Sequence, residues 1–473
     1  MDIQFLGAAR QVTGSRYRLD VAGKRIMVDC GLFQEREHLD RNWEMPITDA
    51  RSIDVLLLTH AHLDHCGLVP RLVASGFNAP IITTEPSRDL AEIIMLDSAR
   101  IQQEDAKYKR RRHRKEGRRG RHPALPLYKT GDAERATKMI RGVPYGQPVD
   151  LGDGVSVTFH ESGHILGSAI LEVKSPGPNG QHHLVFSGDL GQWDKPLVGD
   201  PKLLRRADAV VLESTYGDRH HRESGNVDEQ LERVVNRTID RGGNVVIPTF
   251  AIERAQDLLF HLSTLLHAKR IPKVPVYLDS PMAVDVTDVF RRHRDYMDDE
   301  TSALLAAGKS PLRFPGLRMS RTVKESRAIN ADDRPKLILS TSGMCNAGRI
   351  KHHLRRNIGR AKSTILFVGY QAHGTLGRII LEGANEVRIH GKWYPVRAER
   401  AQIYGFSAHG DQGDLMRWIG HFDPRPRQVF LTHGELSAAQ TLARRIGTLG
   451  VAVTIPGYRE VVTLPAGEAN VVR

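Results

Sequence analysis

Four side chains of metal-ligand type crowd into one short stretch of the chain, His60, His62, Asp64 and His65 within Thr59-His60-Ala61-His62-Leu63-Asp64-His65. No single face of a regular helix or strand presents all four, whereas a loop wrapping an ion does. From an extended segment His60 and His62 point the same way, and Asp64 and His65 at the following turn can reach a second ion. Imidazole nitrogen with carboxylate oxygen and no thiolate suits Zn²⁺ in a catalytic site, where an open position holds water. Mn²⁺ and Fe²⁺ accept the same donors. The cysteines Cys30, Cys66 and Cys345 form no CxxC pair, so neither a thiolate zinc site nor a disulfide framework is indicated, and a reducing, cytoplasmic compartment is expected.

The elements that must position these residues are visible as short apolar runs at 54–59, 184–186, 209–212, 245–247, 276–278, 336–339, 364–368 and 428–431. Continuous runs of this length read as strands buried on both faces, which helices must cover, and helical patterns lie between several of them at 228–240, 253–266 and 414–420. The first thirty residues alternate instead, like a hairpin turning at Ala22-Gly23-Lys24. The class is α/β. In such sheets chemistry collects beyond the carboxyl ends of strands, and further candidates stand there: Asp189 in Ser187-Gly188-Asp189, Glu213, and His433 in Thr432-His433-Gly434-Glu435. His164 lies in Ser162-Gly163-His164, and His409 follows Ser407-Ala408.

At 473 residues the chain is long enough for two or three domains, and 40% hydrophobic with 26% charged residues is an ordinary globular composition. The net charge of +13 favours a polyanionic partner. Residues 107–121 (KYKRRRHRKEGRRGR) hold ten Lys or Arg against the single acid Glu116, nine of the thirteen surplus charges, and are expected to form a mobile, solvated basic loop. No stretch is long and apolar enough for a membrane span, and the N-terminus has no secretory pattern.

The HxHxDH stretch resembles the signature of the metallo-β-lactamase superfamily, with Asp29 in Val28-Asp29-Cys30-Gly31, His164 and Asp189 following that family's order. Glu213 in Glu213-Ser214-Thr215-Tyr216-Gly217, His409 in Ser407-Ala408-His409, and His433 in Thr432-His433-Gly434-Glu435 are similar to the three motifs of its β-CASP branch of nucleic-acid-processing hydrolases. That branch includes the endonuclease subunit of mRNA 3′-end processing, its archaeal and bacterial relatives, and RNase J. The resemblance implies an αββα sandwich, residues 1–214 and 395–473, interrupted by an inserted α/β β-CASP domain at 215–394. It implies one zinc on His60, His62 and His164 and a second on Asp64, His65 and His433, with Asp189 bridging and Asp29 fixing the ligand loop from behind. His409 is the candidate general acid, held by Glu213.

For substrate, two Gly-rich strand-end loops can expose backbone N–H groups to phosphate, with a following Arg as a fork: Ser342 and Gly343 leading to Arg349, and Gln371, Gly374 and Thr375 leading to Arg378. Aromatics are only 6%, so a long base-stacking platform is not expected and backbone contact should dominate. The implied activity is zinc-dependent hydrolysis of single-stranded RNA by hydroxide activated between two metals, leaving a 5′-phosphate and a 3′-hydroxyl. Endonucleolytic action is favoured over 5′-exonucleolytic, and the family includes homodimers. The alternatives are a DNA nuclease of the same branch and a catalytically silent RNA-binding scaffold.

Overall fold

The computed structural model describes residues 1–44, 49–117, 120–177, 180–221 and 226–464. The chain folds as two compact units: Met1–Lys195, Asp200–His220 and His409–Arg473 form one, and Pro196–Gly199 with His221–Ala408 the other. The family resemblance puts the passages between them at 214/215 and 394/395.

The first unit is built on two mixed sheets, each of seven strands among the described residues. Strands Asp2–Phe5, Tyr17–Val21 and Lys24–Val28 form the antiparallel start of one sheet, and Val55–Leu57, Ile81–Thr84 and Ile140–Val143 extend it in parallel. Burial alternates along Asp2–Phe5 and Tyr17–Val21, as a sheet with one face on a core requires. In the second sheet, Val155–Glu161, Ala169–Gly177 and Gly180–Phe186 run antiparallel, then Ala209–Glu213 and Gln428–Thr432 continue in parallel. Inner-face side chains of both sheets, among them Phe5, Ile26, Leu57, Phe159, Leu171 and Phe186, share one core. On the outer face of the second sheet, Val185, Val210 and Leu431 pack with Trp418 of helix Gln412–Ile419 and Leu442 of helix Leu436–Gly447. The layers are therefore helix, sheet, sheet, helix. Strand Gln428–Thr432 enters the second sheet beside Ala209–Glu213, and Val461–Thr463 pairs with Asp2–Phe5, so the end of the chain closes both sheets.

The second unit centres on a parallel sheet in the order Leu317–Ser320, Val276–Asp279, Leu337–Ser340, Val245–Pro248, Thr364–Val368, Glu399–Ile403. Its four inner strands, Val276–Asp279, Leu337–Ser340, Val245–Pro248 and Thr364–Val368, are buried on both faces, as the continuous apolar runs predict.

One expectation is overturned. Residues 107–116 are not a loop but the last turns of helix Glu85–Glu116, a 32-residue element that closes at Gly117 in the left-handed conformation (φ 62°). Its first half is anchored by buried Leu90, Ile94, Met95 and Ala99, and Thr84 Oγ1 accepts from Ser87 N at its start. Lys and Arg are good helix formers, so the packed half propagates into the charged half, and basic residues at a helix C-terminus suit its dipole. Arg118 and Arg119 of the expected loop lie outside the described residues. No helix among the described residues is long and apolar enough to cross a membrane.

Candidate metal centre

The residues singled out in the first unit converge on one buried cluster, although they come from opposite ends of the sequence. His60 and His62 leave the end of strand Val55–Leu57 in extended chain, and Asp64 and His65 sit in the single turn Leu63–Cys66 that follows. Asp29 ends strand Lys24–Val28 with a positive φ of 56°, an unfavourable conformation for a residue with a side chain that is typical of functional sites. Its loop presses on the ligand turn: a Cβ on Gly31 would lie 1.6 Å from Asp64 O. The His164 loop and the segment after Asp189 are just as close, since a Cβ on Gly191 would lie 1.8 Å from Gly163 O.

Two groups of ligand atoms result. In the first, His62 Nδ1 is 3.1 Å from both His60 Nε2 and His164 Nε2, and Asp189 Oδ2 is 3.5 Å from His60 Nε2 and His164 Nε2. In the second, His433 Nε2 is 3.2 Å from His65 Nε2 and 3.4 Å from Asp64 Oδ2, while Asp189 Oδ1 is 3.3 Å from His65 Nε2 and 3.6 Å from His433 Nε2. A tetrahedral ion with bonds of about 2.0–2.1 Å separates its ligands by about 3.3–3.4 Å, so both groups have the size of a metal site. Asp189 offers one oxygen to each, and its buried Oδ1 accepts no hydrogen bond of ordinary geometry.

The outer atoms of the ring ligands explain their orientation. Asp29 Oδ1 accepts from Thr59 N at 2.8 Å, and its Oδ2 accepts from Thr59 Oγ1 at 2.8 Å and from His65 Nδ1 at 2.7 Å. Thr59 Oγ1 in turn accepts from His60 Nδ1 at 3.0 Å. Thr215 Oγ1 accepts from His433 Nδ1 at 3.0 Å. Each of these bonds sets a tautomer whose Nε2 lone pair faces the cluster, as a metal-ligating histidine needs. Thr59 and Thr215 carry no ligand-type side chain, so the sequence marks them only by their place inside the HxHxDH and Glu213 motifs.

Burial first, then the charge of His65, holds His60 well below the ordinary imidazole range; burial, despite the pull of Asp64, takes His62 down to about 4. Burial alone would raise Asp189, but the charges of His433 and His65 outweigh it and hold the carboxylate well below its usual range. Neutral His60 and His62 beside ionised Asp189 form a donor set for a divalent cation. At His65 and His433 burial is outweighed by Asp189, so both are raised and would release a proton on binding a cation. His409 stands at the edge of the cluster: its Nδ1 donates toward Glu213 at 3.2 Å and lies 3.9 Å from Asp189 Oδ2. Burial by itself would depress this imidazole, yet the charge and hydrogen bond of Glu213 outweigh it and raise its pKa to about 9. Glu213 is itself buried and also accepts from Leu190 N at 2.7 Å, which ties His409 to the Asp189 segment. His409 also groups with Asp189 and His433 within reach of a common ion.

The candidate phosphate contacts all lie in the second unit. Arg349 is committed internally, its Nη1 to Asp279 Oδ1 at 2.7 Å and its Nη2 to Arg321 O at 2.7 Å. Arg378 pairs with Glu382 at 2.6 Å on the surface. Gln371 is buried and donates to Gly343 O at 3.1 Å, joining the two loops. Thr375 caps helix Leu376–Leu381, the Ser342 hydroxyl accepts from Ala347 N, and Gly374 has open space where a Cβ would be.

Fold and site together define a metallo-β-lactamase-type hydrolase. Residues 18–184 match the metallo-beta-lactamase superfamily domain, 255–380 the Beta-Casp domain, and 393–456 the Zn-dependent metallo-hydrolase RNA specificity domain. The chain belongs to the β-CASP family of metallo-hydrolases. It is 37% identical to Ribonuclease TTHA0252 of Thermus thermophilus, over 97% of this chain and 99% of that one. It is 32% identical to transcription termination factor FttA of Methanosarcina mazei, over 93% of this chain and 68% of the relative. A solved structure of a protein of unknown function from Enterococcus faecalis shares the fold, with a TM-score of 0.56 at 12% identity over 98% of this chain and 99% of that one.

Proposed function

We propose that this protein is a metal-dependent ribonuclease that hydrolyses phosphodiester bonds of single-stranded RNA, cutting internally and leaving a 5′-phosphate and a 3′-hydroxyl. The observation that carries the reading is the placement of the two Asp189 oxygens, one toward each group of ligand atoms, within a family whose matched domain is an RNA specificity domain. His60, His62 and His164 would hold one cation and Asp64, His65 and His433 a second, with Asp189 shared; nitrogen and carboxylate donors favour Zn²⁺, with Mn²⁺ as the alternative. When bound, such a pair lowers the pKa of water and neutralises charge that develops on a phosphodiester.

The chain's own groups supply the rest. His409, protonated at neutral pH and held through Nδ1 by Glu213, gives a proton from its other nitrogen to the departing 3′ oxygen. Asp29 and Thr59 keep His65 and His60 turned toward the centre. The basic end of helix Glu85–Glu116 attracts the RNA backbone, and the loops carrying Ser342, Gly343, Gln371, Gly374, Thr375 and Arg378 contribute further backbone contacts, with Arg349 tying its loop to Asp279.

The purified protein should cut labelled single-stranded RNA into internal fragments with 5′-phosphate ends, regardless of whether the substrate begins with a mono- or triphosphate. Fragments from DNA alone would make it a deoxyribonuclease. RNA binding with no cleavage would make it a scaffold.

A further inference from the structure

In a parallel sheet, neighbouring strands whose outgoing connections run in opposite directions leave a crevice beyond their carboxyl ends, and ligands bind there. In the second unit, Val245–Pro248 and Thr364–Val368 are such neighbours. From the first the chain leads to Val276–Asp279 on one side of the sheet, and from the second to Glu399–Ile403 on the other. Two residues past each strand stands a large aromatic side chain that the core leaves in solvent, Phe250 at 45% exposure and Tyr370 at 65%.

Both are supported from beneath. A Cβ on Gly343 would lie 2.9 to 3.2 Å from three carbons of the Phe250 ring, so the ring rests against glycine backbone and a larger residue there would push it aside. Gln371 Nε2 donates to Gly343 O at 3.1 Å and to Tyr370 O at 3.2 Å, so one buried amide joins the support of the first ring to the backbone of the second. Positioned but exposed aromatics at a strand-end crevice suit a flat, π-faced ligand. In a chain with a net charge of +13, a nucleobase on a polyanionic strand fits that description.

We infer that Phe250 and Tyr370 form a base-stacking site for single-stranded RNA in the β-CASP unit, adding base contacts to a surface otherwise expected to bind backbone. The inference rests on the reading of RNA as substrate. Stacking is tolerant of sequence, since every base has a π face, so the site would favour unpaired strands over any particular sequence.

The test compares two hydrolysis-resistant oligomers of equal length and charge, a 2′-O-methyl phosphorothioate oligoadenylate and its abasic counterpart, binding to the full-length, metal-loaded protein. Phe250→Ala and Tyr370→Ala should each weaken oligoadenylate binding by about 5- to 150-fold, the worth of one stacked base, and change abasic binding less than about twofold. Phe250→Trp should retain affinity, while Phe250→Leu, apolar without a π face, should behave as the alanine variant. Equal losses on both oligomers, or none on either, would overturn the stacking site. Unaltered protein that binds neither oligomer would remove the RNA reading itself; binding both equally would leave that reading intact and remove only the stacking site.

Discussion

His409 shows how a neighbouring carboxylate decides what a buried histidine can do. Burial favours the neutral ring, yet Glu213 keeps it charged, so the group is loaded with a proton at neutral pH. Burial keeps His60 and His62 neutral despite the carboxylates beside them, Asp189 at His60 and Asp64 at His62, and they suit a cation instead. Charge alone does not separate the rings, since at His65 and His433 too burial is outweighed by Asp189. The proposed donor is set apart by Glu213 on its Nδ1 and by its place at the edge of the cluster. Replacing His409 by Ala should lower cleavage about 10²- to 10⁴-fold while metal content, read by inductively coupled plasma mass spectrometry, stays at the unaltered level. A variant that loses metal would make His409 a ligand. Which nitrogen each ring turns inward was not legible in the sequence, because Thr59 and Thr215 set it through folded geometry, and Thr215 meets His433 from 218 positions away.

At the scale of elements, two features carry predictions. The basic end of helix Glu85–Glu116 presents Arg110, Arg111 and Arg114 to solvent. Changing these three to Gln keeps helix propensity but removes charge. The slope of log affinity for single-stranded RNA against log salt should become shallower by about 0.7 for each phosphate no longer neutralised, with single-turnover cleavage at saturating RNA unchanged. A collapse of that rate would place the helix end in the chemistry. In the second sheet of the same unit, Glu172 joins His160 at 3.1 Å, His183 at 3.2 Å and Lys174 at 3.2 Å. Burial alone would raise this carboxyl, but its hydrogen bonds to those partners hold it below the usual range. Its stabilisation is thus present above the unfolded carboxyl pKa and fades as pH falls below it. Glu172→Gln should cost about 1–3 kcal/mol at pH 7 and progressively less below about pH 4, followed by thermal unfolding; an equal cost at pH 7 and pH 3 would refute the assignment. The buried strands were legible from their apolar runs. The helix end was not, because a run of like charge carries the same pattern whether it is solvated as loop or as helix, and only the packed turns before it decide.

At the scale of the molecule, the candidate centre depends on the chain's return. The ligands from His60 to Asp189 precede the second unit in sequence, and His433 reaches them only because strand Gln428–Thr432 pairs with Ala209–Glu213. The local HxHxDH stretch made the chemistry readable, and the resemblance supplied the order of the distant ligands. Their convergence to within 3.1–3.6 Å is a property of the assembled sheets. Non-local partners likewise hid the fate of Arg349, whose Asp279 lies 70 positions away. RNA hydrolysis on two cations gathered around Asp189 is tested by stripping the protein with a chelator and restoring Zn²⁺ stepwise while following cleavage of labelled single-stranded RNA. Activity should disappear on stripping, return on titration and saturate near two equivalents per chain; cleavage that survives complete removal of metal, or that saturates at one equivalent, would contradict hydrolysis on two cations.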